Sequence, residues 1–290
     1  MLKALVTGGT GFIGKALVSK LMMSPDISID VLYRNSKQEK ICSGNIRYIH
    51  IDDFNPSNTT YDVVLHLAAY LTSLRDKTST IRLIESNLLF PAKLLSEVKI
   101  KKGGLFVDTG SFAELHVSPD GLNVNYLYAE TKKSFENIGR FFAVVNQYNY
   151  CKVYPYTVIS KTREGKKLLD IILSSLDAEY PIPMTSGGQV LDFIDRDDVV
   201  SLYEALVFES DYSKLNNEKI ECCTGAGTSV RDLARMVSKI SGRPLNIEWG
   251  LKPYREADIM YAVGCPDKAQ CLVGWRAKSD LYTTLSKIIE

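Results

Sequence analysis

Apolar residues fall along the first half of this 290-residue chain in two alternating rhythms. Short, nearly unbroken apolar runs occur in KALVTGG (residues 3–9), ISIDVLYRN (27–35), NIRYIHID (45–52), YDVVLHLAA (61–69), GGLFVDTGS (103–111) and CKVYPYTVI (151–159). Runs of this length suit strands covered on both faces. Between them, GFIGKALVSKLMM (11–23), LIESNLLFPAKLLSEV (83–98) and YLYAETKKSFENIGRFFAVVNQY (126–148) repeat apolar positions at the spacing of a helix with one buried stripe. The alternation predicts an α/β fold, a parallel sheet with helices on both faces.

From about Lys161 the rhythm loosens. EYPIPMTSGG (179–188), with two prolines and two glycines, reads as loop. VLDFIDRDDVVSLYEAL (190–206) reads as a strand feeding a helix whose acidic start suits the helix dipole. TGAGTSVRDLARMVSKISG (224–242) reads as a helix with Ser229 as N-cap and Gly242 just past its end. There is no internal repeat, low-complexity tract or flexible linker. A large unit over residues 1–160 and a smaller lobe over 161–290 are expected, with 190–208 returning to the large sheet.

Composition narrows the function classes. A formal charge of +1 gives no electrostatic argument for a nucleic acid or an anionic membrane. No apolar run approaches the roughly 20 residues that span a bilayer. MLKALVTGG enters a strand at once, which leaves no room for a signal peptide. Six cysteines without a CxxC pair and only three histidines argue against a metal site and for reduced thiols in the cytoplasm.

Candidate chemistry begins at VTGGTGFIG, which places Gly9, Gly11 and Gly14 in GxGxxG order between a strand and a helix. In that context the glycines form a turn that lets the backbone approach a pyrophosphate, with the helix N-terminus favouring its charge. A Rossmann-like doubly wound sheet holding a dinucleotide follows, with Gly8, Thr10, Phe12 and Ile13 completing the loop. Proteins that hold NAD(H) usually place an acid at the end of the second strand for the ribose 2′-hydroxyl. Here that place is Tyr33-Arg34-Asn35, and Asp30 lies several residues short of it. A cation there suits a 2′-phosphate, so NADP(H) is favoured over NAD(H), with Arg34 and Asn35 at the phosphate. Asp52 and Asp53, after the third strand, suit the adenine amino group or a cap on the following loop.

Three tyrosines precede a lysine by four residues: Tyr33/Lys37, Tyr128/Lys132 and Tyr148/Lys152. Only the second pair lies within one continuous helical stretch, where the spacing puts both side chains on one face. It also follows a strand ending at Ser111, seventeen residues upstream. A phenol beside an ammonium and a hydroxyl can move a proton onto a carbonyl oxygen.

These pieces resemble the extended short-chain dehydrogenases/reductases: TGGTGFIG, VVLHLAA (63–69), Asn87, Ser111, YAETK, DFIDRDDVV (192–200) and GTSVRDLA (227–234) appear in family order over nearly the whole chain. A narrower resemblance, through FVDTGSFAEL, TKKSFENIGRFFA, CTGAGTSVRDL and READIMYAV, is to nucleotide-sugar 4-ketoreductases of the CDP-abequose/CDP-paratose synthase type. The resemblance implies a catalytic set of Tyr128, Lys132 and Ser111. It implies further cofactor contacts from Leu67, Ala68, Ala69, Asn87, Thr109 and Pro155, and substrate contacts from Ser111, Phe112, Thr157 and Arg255. Tyr128 would give its proton to the sugar oxygen, Lys132 would bind the ribose hydroxyls and stabilise the phenolate, and Ser111 would polarise the carbonyl.

Absences narrow the reaction. Family 4,6-dehydratases carry Asp-Glu after the active-site hydroxyl, where this chain has Phe112-Ala113. Glu114 is one residue late, and in an extended chain it would face away. The cysteine of the GDP-fucose-forming epimerase/reductases is Ala113. What remains is reduction at C4 of a nucleotide-linked 4-keto-6-deoxy sugar, in bacterial surface-polysaccharide synthesis, or 4-epimerisation with retained NAD; a relative that binds the dinucleotide without turnover is the third reading. Two places depart from the family: the diphosphate-gripping arginine is Leu191, and the tyrosine-glycine-proline after the sixth strand is Ile159-Ser160-Lys161. Arg255, alone or with Lys161 or Arg163, would then hold the diphosphate. Family members often dimerise through the YxxxK helix and the helix before it, so a homodimer is expected.

Overall fold

The computed structural model describes residues 1–34, 44–56, 59–116, 126–161, 167–255 and 258–290. The first half runs β1 (Leu2–Thr7), α1 (Phe12–Leu21), β2 (Ile27–Tyr33), β3 (Ile46–His50), β4 (Thr60–His66), α2 (Lys77–Ile84), α3 (Phe90–Glu97), β5 (Lys99–Thr109), α4 (Leu127–Asn146) and β6 (Asn149–Pro155). The rest runs β7 (Thr157–Ile159), α5 (Leu168–Ser174), β8 (Ile182–Met184), β9 (Val190–Asp195), α6 (Arg196–Val207), β10 (Glu218–Cys222), β11 (Gly227–Ser229), α7 (Val230–Ser241), β12 (Ile247–Trp249), β13 (Tyr261–Ala262), α8 (Asp267–Val273) and α9 (Leu281–Ile289).

Seven parallel strands form the main sheet in the order β10-β6-β5-β4-β1-β2-β3. The order reverses between β1 and β4, and the carboxyl ends flanking that switch point form the crevice in which such sheets bind ligands. One face is covered by Leu17, Val18 and Leu21 of α1 and by Val199, Leu202, Tyr203 and Leu206 of α6. The other carries Leu94 and Leu95 of α3 and Phe135 and Ala143 of α4 against Leu5, Val64 and Phe106. Burial on both faces is why the strands read as near-continuous apolar runs.

Three details differ from the sequence expectation. Residues 83–98 are not one regular helix: a π-turn over Glu85–Leu89 separates α2 from α3. The strand of the 190–208 segment does not join the large sheet; β9 pairs with β7, β11 and β13, and only the following α6 returns to the main core. The strand that completes the large sheet is β10, which was not foreseen. Trp275 belongs to the same main core and donates its indole N–H to Ser201 Oγ at 2.7 Å.

The smaller lobe has its own core from α5, α7 and α9, with Leu169, Ile172, Leu233, Val237 and Leu285 at its centre. Ser229 Oγ caps α7 by accepting from the Asp232 N–H at 2.9 Å, and Gly242 ends the helix in the left-handed region at φ 64°. No helix among the described residues is long and apolar enough to cross a membrane.

Candidate active site

The phosphate loop is shaped by close approach. Gly8 sits at φ +70°, and a Cβ there would lie 2.5 Å from the Ala68 nitrogen. A Cβ on Gly14 would lie 2.1 Å from the Gly8 carbonyl oxygen, and the Gly11 N–H donates to that same oxygen at 2.9 Å. Helix α1 therefore starts hard against the turn, with its first N–H groups directed into the crevice. Phe12, the first residue of α1, lies under two cations, with Lys167 Nζ 4.2 Å and the Arg196 guanidinium carbon 5.5 Å from its ring centroid. Ile13 packs on the core below, and Thr10 lies half-buried in the turn.

Asp30 cannot serve a ribose from where it stands. It is buried, bound by Arg47 Nε and Nη2 at 2.9 and 2.7 Å and by the Tyr61 hydroxyl at 2.7 Å. Arg34 follows β2 directly and is exposed at the carboxyl edge. The His50 ring stands edge-on to Tyr33, and its Nε2–H donates to the Arg34 carbonyl at 3.0 Å. Asp52 and Asp53 form an exposed turn after β3. Asn35, Lys37 and Arg163 lie outside the described residues.

Along the opposite wall, Leu67 and Ala68 are half-buried and Ala69 is exposed. Thr7 Oγ1 accepts from the Ala68 N–H at 3.3 Å and bonds His66 Nδ1 at 2.7 Å, tying β1 to the end of β4. His66 is fully buried, and that burial lowers its pKa to about 3, so it stays neutral. Asn87 and Thr109 have side chains bonded within the protein. Asn87 is fully buried: its carbonyl accepts from the Tyr70 N–H at 2.8 Å, and its amide donates to the Tyr70 carbonyl and Thr131 Oγ1 at 3.0 and 3.1 Å. Thr109 Oγ1 is bonded to the Tyr203 hydroxyl at 2.6 Å. Both side chains brace the crevice wall, because their polar atoms already have protein partners. Pro155 closes the end of β6 and is buried.

Ser111 starts a single 3-10 turn, Phe112–Leu115. Its Oγ accepts from the Ala113 N–H at 3.3 Å, and the Ser111 N–H donates to Glu114 Oε1 at 2.8 Å, a reciprocal capping box. The segment is thus a turn and not the extended chain expected. Glu114 is directed inward, with Oε2 2.7 Å from Lys152 Nζ. Tyr128 and Lys132 lie one turn apart on α4, as their spacing requires. Burial raises the Tyr128 pKa above that of a free phenol, and the negative charges of Glu114 and Asp108 raise it further. Lys132 is fully buried; its Nζ lies 3.7 Å from Asp108 Oδ1 and has no hydrogen-bond partner among the described residues. Burial lowers its pKa, opposed by the Asp108 carboxylate.

On the lobe side, Phe112 stacks on Tyr156 with ring centroids 5.4 Å apart, and Thr157 opens β7, half-buried. Arg255 is exposed, and its charge lowers the pKa of Tyr126 at the start of α4, against the burial and Asp258 charge that raise it. It therefore stands near Tyr126. Leu191 packs beside the Tyr156–Cys223–Ala262 cluster, filling with apolar bulk the place of the family arginine. Sequence reasoning missed Asp108 and Lys152, which sit beneath α4 and contact Lys132. Their signal was a single charged residue in each of two apolar runs, LFVDT (105–109) and YCKVYP (150–155).

The residues fit a nicotinamide dinucleotide. Gly8 and Gly14 leave no room for a Cβ, so the turn packs closely on the end of β4 and the start of α1, and Lys132 Nζ, without a hydrogen-bond partner among the described residues, suits a ribose diol. Residues 4–221 match the model of the NAD dependent epimerase/dehydratase family. The CDP-abequose synthase of Salmonella typhimurium (strain LT2) is 25% identical over 299 residues, covering 99% of this chain and 97% of the relative. Among solved structures, the UDP-glucuronic acid 4-epimerase from Bacillus cereus in complex with UDP-glucuronic acid and NAD superposes with a TM-score of 0.82 at 20% identity, over 98% of this chain and 96% of that one. RMD from Pseudomonas aeruginosa complexed with NADPH superposes with a TM-score of 0.76 at 18% identity, over 100% and 98%. With three quarters of its length in the family model and the family's parallel sheet and glycine turn in place, this chain belongs to the NAD-dependent epimerase/dehydratase family.

Proposed function

We propose that the protein is an NADPH-dependent reductase of the C4 keto group in a nucleotide-linked 4-keto-6-deoxy sugar. The observation that carries this reading is the fully buried Lys132 one helical turn from Tyr128, its Nζ 3.7 Å from Asp108 Oδ1 and without a hydrogen-bond partner among the described residues. The dinucleotide, when bound, supplies the hydride. Ser111 Oγ donates its O–H to the keto oxygen and draws electron density from C4. Tyr128 then gives its phenolic proton to the oxygen as it becomes an alcohol. Lys132 holds the ribose diol and, as a cation beside the phenol, favours the phenolate left behind.

The engagement of Asp30 by Arg47 and Tyr61, with Arg34 exposed at the end of β2, supports NADPH over NADH. Arg34→Ala should raise the KM for NADPH at least about 10-fold, the loss of a charge-assisted phosphate contact, and leave the KM for NADH unchanged. Both oxygens of Glu114 are engaged, which supports reduction over dehydration. The full-length similarity to a CDP-abequose synthase supports a cytidine diphosphate handle, with Arg255 at the diphosphate. Such an enzyme would work in the cytoplasm.

The test is a thermal-shift screen of CDP-, dTDP-, GDP- and UDP-linked ligands with NADPH present, followed by turnover on the 4-keto-6-deoxy sugar that stabilises most. One NADPH should be oxidised per ketone, and Tyr128→Phe should lose most of the rate while binding cofactor normally. Full turnover by Tyr128→Phe refutes the mechanism; stoichiometric copurifying NAD with interconversion of sugar nucleotides makes the protein a 4-epimerase instead. We also propose a homodimer through the α2–α3 and α4 face. Phe141, Val144 and Val145 are 62%, 75% and 60% exposed there, with Ile84 and Leu89 about half exposed. A monomer mass by sedimentation removes this.

A further inference from the structure

A set of charges is sealed beneath the site. Residues 104–108 of β5 and 150–155 of β6 are buried, yet a carboxylate and an ammonium stand there at the same height: Asp108 and Lys152 are direct register partners and are 0% and 1% exposed. The Lys152 ammonium lies 2.7 Å from Glu114 Oε2 and 3.4 Å from Asp108 Oδ2, and it donates to the Lys132 carbonyl oxygen at 2.9 Å. The ammonium thus faces oxygens from three different elements, two as ion pairs and one as a hydrogen-bond acceptor. Glu136 Oε2 stands 3.8 Å away, and the Tyr154 ring centroid 5.6 Å. Asp108 also accepts from the Tyr150 hydroxyl at 2.9 Å.

Asp108, Glu114, Lys132 and Lys152 sum to zero charge when all four are ionised. Glu136 is balanced from outside by Lys219 at 2.7 Å and Arg140 at 4.0 Å. Buried ion pairs are poor sources of stability, since apolar side chains of similar volume serve as well or better. A neutral charged cluster kept under a reaction centre points to geometry.

We propose that Lys152 is the positioning residue of the site: its ammonium ties the Ser111 turn, through Glu114, to the Lys132 turn of α4. The linkage is continuous in the structure, from the Ser111 N–H to Glu114 Oε1, from Glu114 Oε2 to Lys152 Nζ, and from Lys152 Nζ to the Lys132 carbonyl. Ser111 stands on a turn after β5 and Tyr128 on a helix that begins sixteen residues later, at Leu127. Lys152 sets one against the other from below. The inference rests on the functional reading that Ser111, Tyr128 and Lys132 act on one keto oxygen.

The experiment uses Lys152→Met, Lys152→Arg and Glu114→Gln, each in the unaltered protein and in a Ser111→Ala background. NADPH oxidation with the keto sugar nucleotide gives kcat and KM, fluorescence titration gives the NADPH dissociation constant, and circular dichroism checks folding. Lys152→Met should lower kcat about 100-fold, as expected for a displaced hydroxyl, with the dissociation constant unchanged. Lys152→Arg should recover part of that loss. In the Ser111→Ala background Lys152→Met should add less than about threefold, because the group it positions is gone.

Unchanged kcat in Lys152→Met, or a loss that multiplies fully onto that of Ser111→Ala, overturns the proposal. Should Lys152→Met fail to fold, Glu114→Gln decides. Glutamine keeps the volume and the acceptor for the Ser111 N–H but removes the ion pair. About 10-fold lower kcat, absent in the Ser111→Ala background, supports the linkage, and unchanged kcat overturns it. Failure of the functional reading looks different: the unaltered protein then reduces no keto sugar nucleotide, or Ser111→Ala turns over as fast as its parent, and the inference falls with it.

Discussion

Gly8→Ala separates two effects that usually travel together. At φ +70° an alanine is strained by about 1–2 kcal/mol wherever it sits. At Gly8 its Cβ would also lie 2.5, 2.7 and 2.8 Å from the Ala68 nitrogen, Leu67 carbonyl carbon and Ala68 Cα, all backbone atoms. To reach ordinary contact near 3.4 Å, the turn and the end of β4 must part by about 0.9 Å. Forced displacement of packed backbone adds about 1–3 kcal/mol. Gly242 is the control, with φ +64° and nothing within 4 Å of a built Cβ. Gly242→Ala should lower the melting midpoint by about 2–4 °C and Gly8→Ala by about 4–10 °C. The same displacement draws amide donors away from the pyrophosphate, so Gly8→Ala should weaken dinucleotide binding about 10- to 100-fold, while Gly242→Ala leaves it unchanged. Scanning calorimetry of the free protein and a fluorescence titration with NADPH read both quantities. Equal melting points for the two variants, with equal dinucleotide affinity, would refute the close-approach account of the loop.

Three further outcomes follow from the site. Because burial raises the Tyr128 pKa, its proton is held below that value; the kcat for ketone reduction should stay flat from about pH 6 to 9, while alcohol oxidation, which needs the phenolate, climbs over the same range. Opposite slopes in steady-state assays support this, and parallel slopes refute it. His66, held at about 3, binds no proton in the native state between there and its ordinary 6.5, whereas the unfolded chain does; stability falls as pH drops through that window, by about 2 kcal/mol between pH 6.5 and 5. Urea midpoints of His66→Leu should lack that share of the slope. Asp192 is fully buried and accepts from Thr224 N–H and O–H at 2.9 and 2.7 Å and from the Gly225 N–H at 2.8 Å. Asp192→Ala should cost about 3–5 kcal/mol by urea unfolding, since it leaves all three donors unpaired, and a loss under about 1 kcal/mol would contradict those contacts.

The strands and helices that could be read from sequence are those whose signal is long or strictly local. β1, β2, β4 and β5 announce themselves by burial on both faces, and the α7 boundaries by a serine cap and a left-handed glycine. β7, β11 and β13 have two or three residues each, too few for any period to show. β10 reads EKIEC, three charges around one isoleucine, because an edge strand has half its surface wet. The Tyr128–Lys132 pair was legible because helical spacing is a local property. The Glu114 contact was misjudged by assuming extended chain, although Ser111-Phe112-Ala113-Glu114 has the S-x-x-E form of a capping box. Asn87 and Thr109 show the opposite case: their partners Tyr70, Thr131 and Tyr203 come from distant segments, and spacing carries no trace of them.

The return of the chain to β10 has a practical consequence for anyone dividing the molecule. A fragment ending at residue 160 would contain the whole glycine turn and the tyrosine helix, yet it would lack the strand that pairs with β6 from Cys151 to Pro155. The uncovered border would offer a ladder of unmet amides and carbonyls to any copy nearby, an invitation to aggregate. Cofactor unit and lobe are therefore sewn together by the backbone itself, and autonomy of either half has to be engineered in.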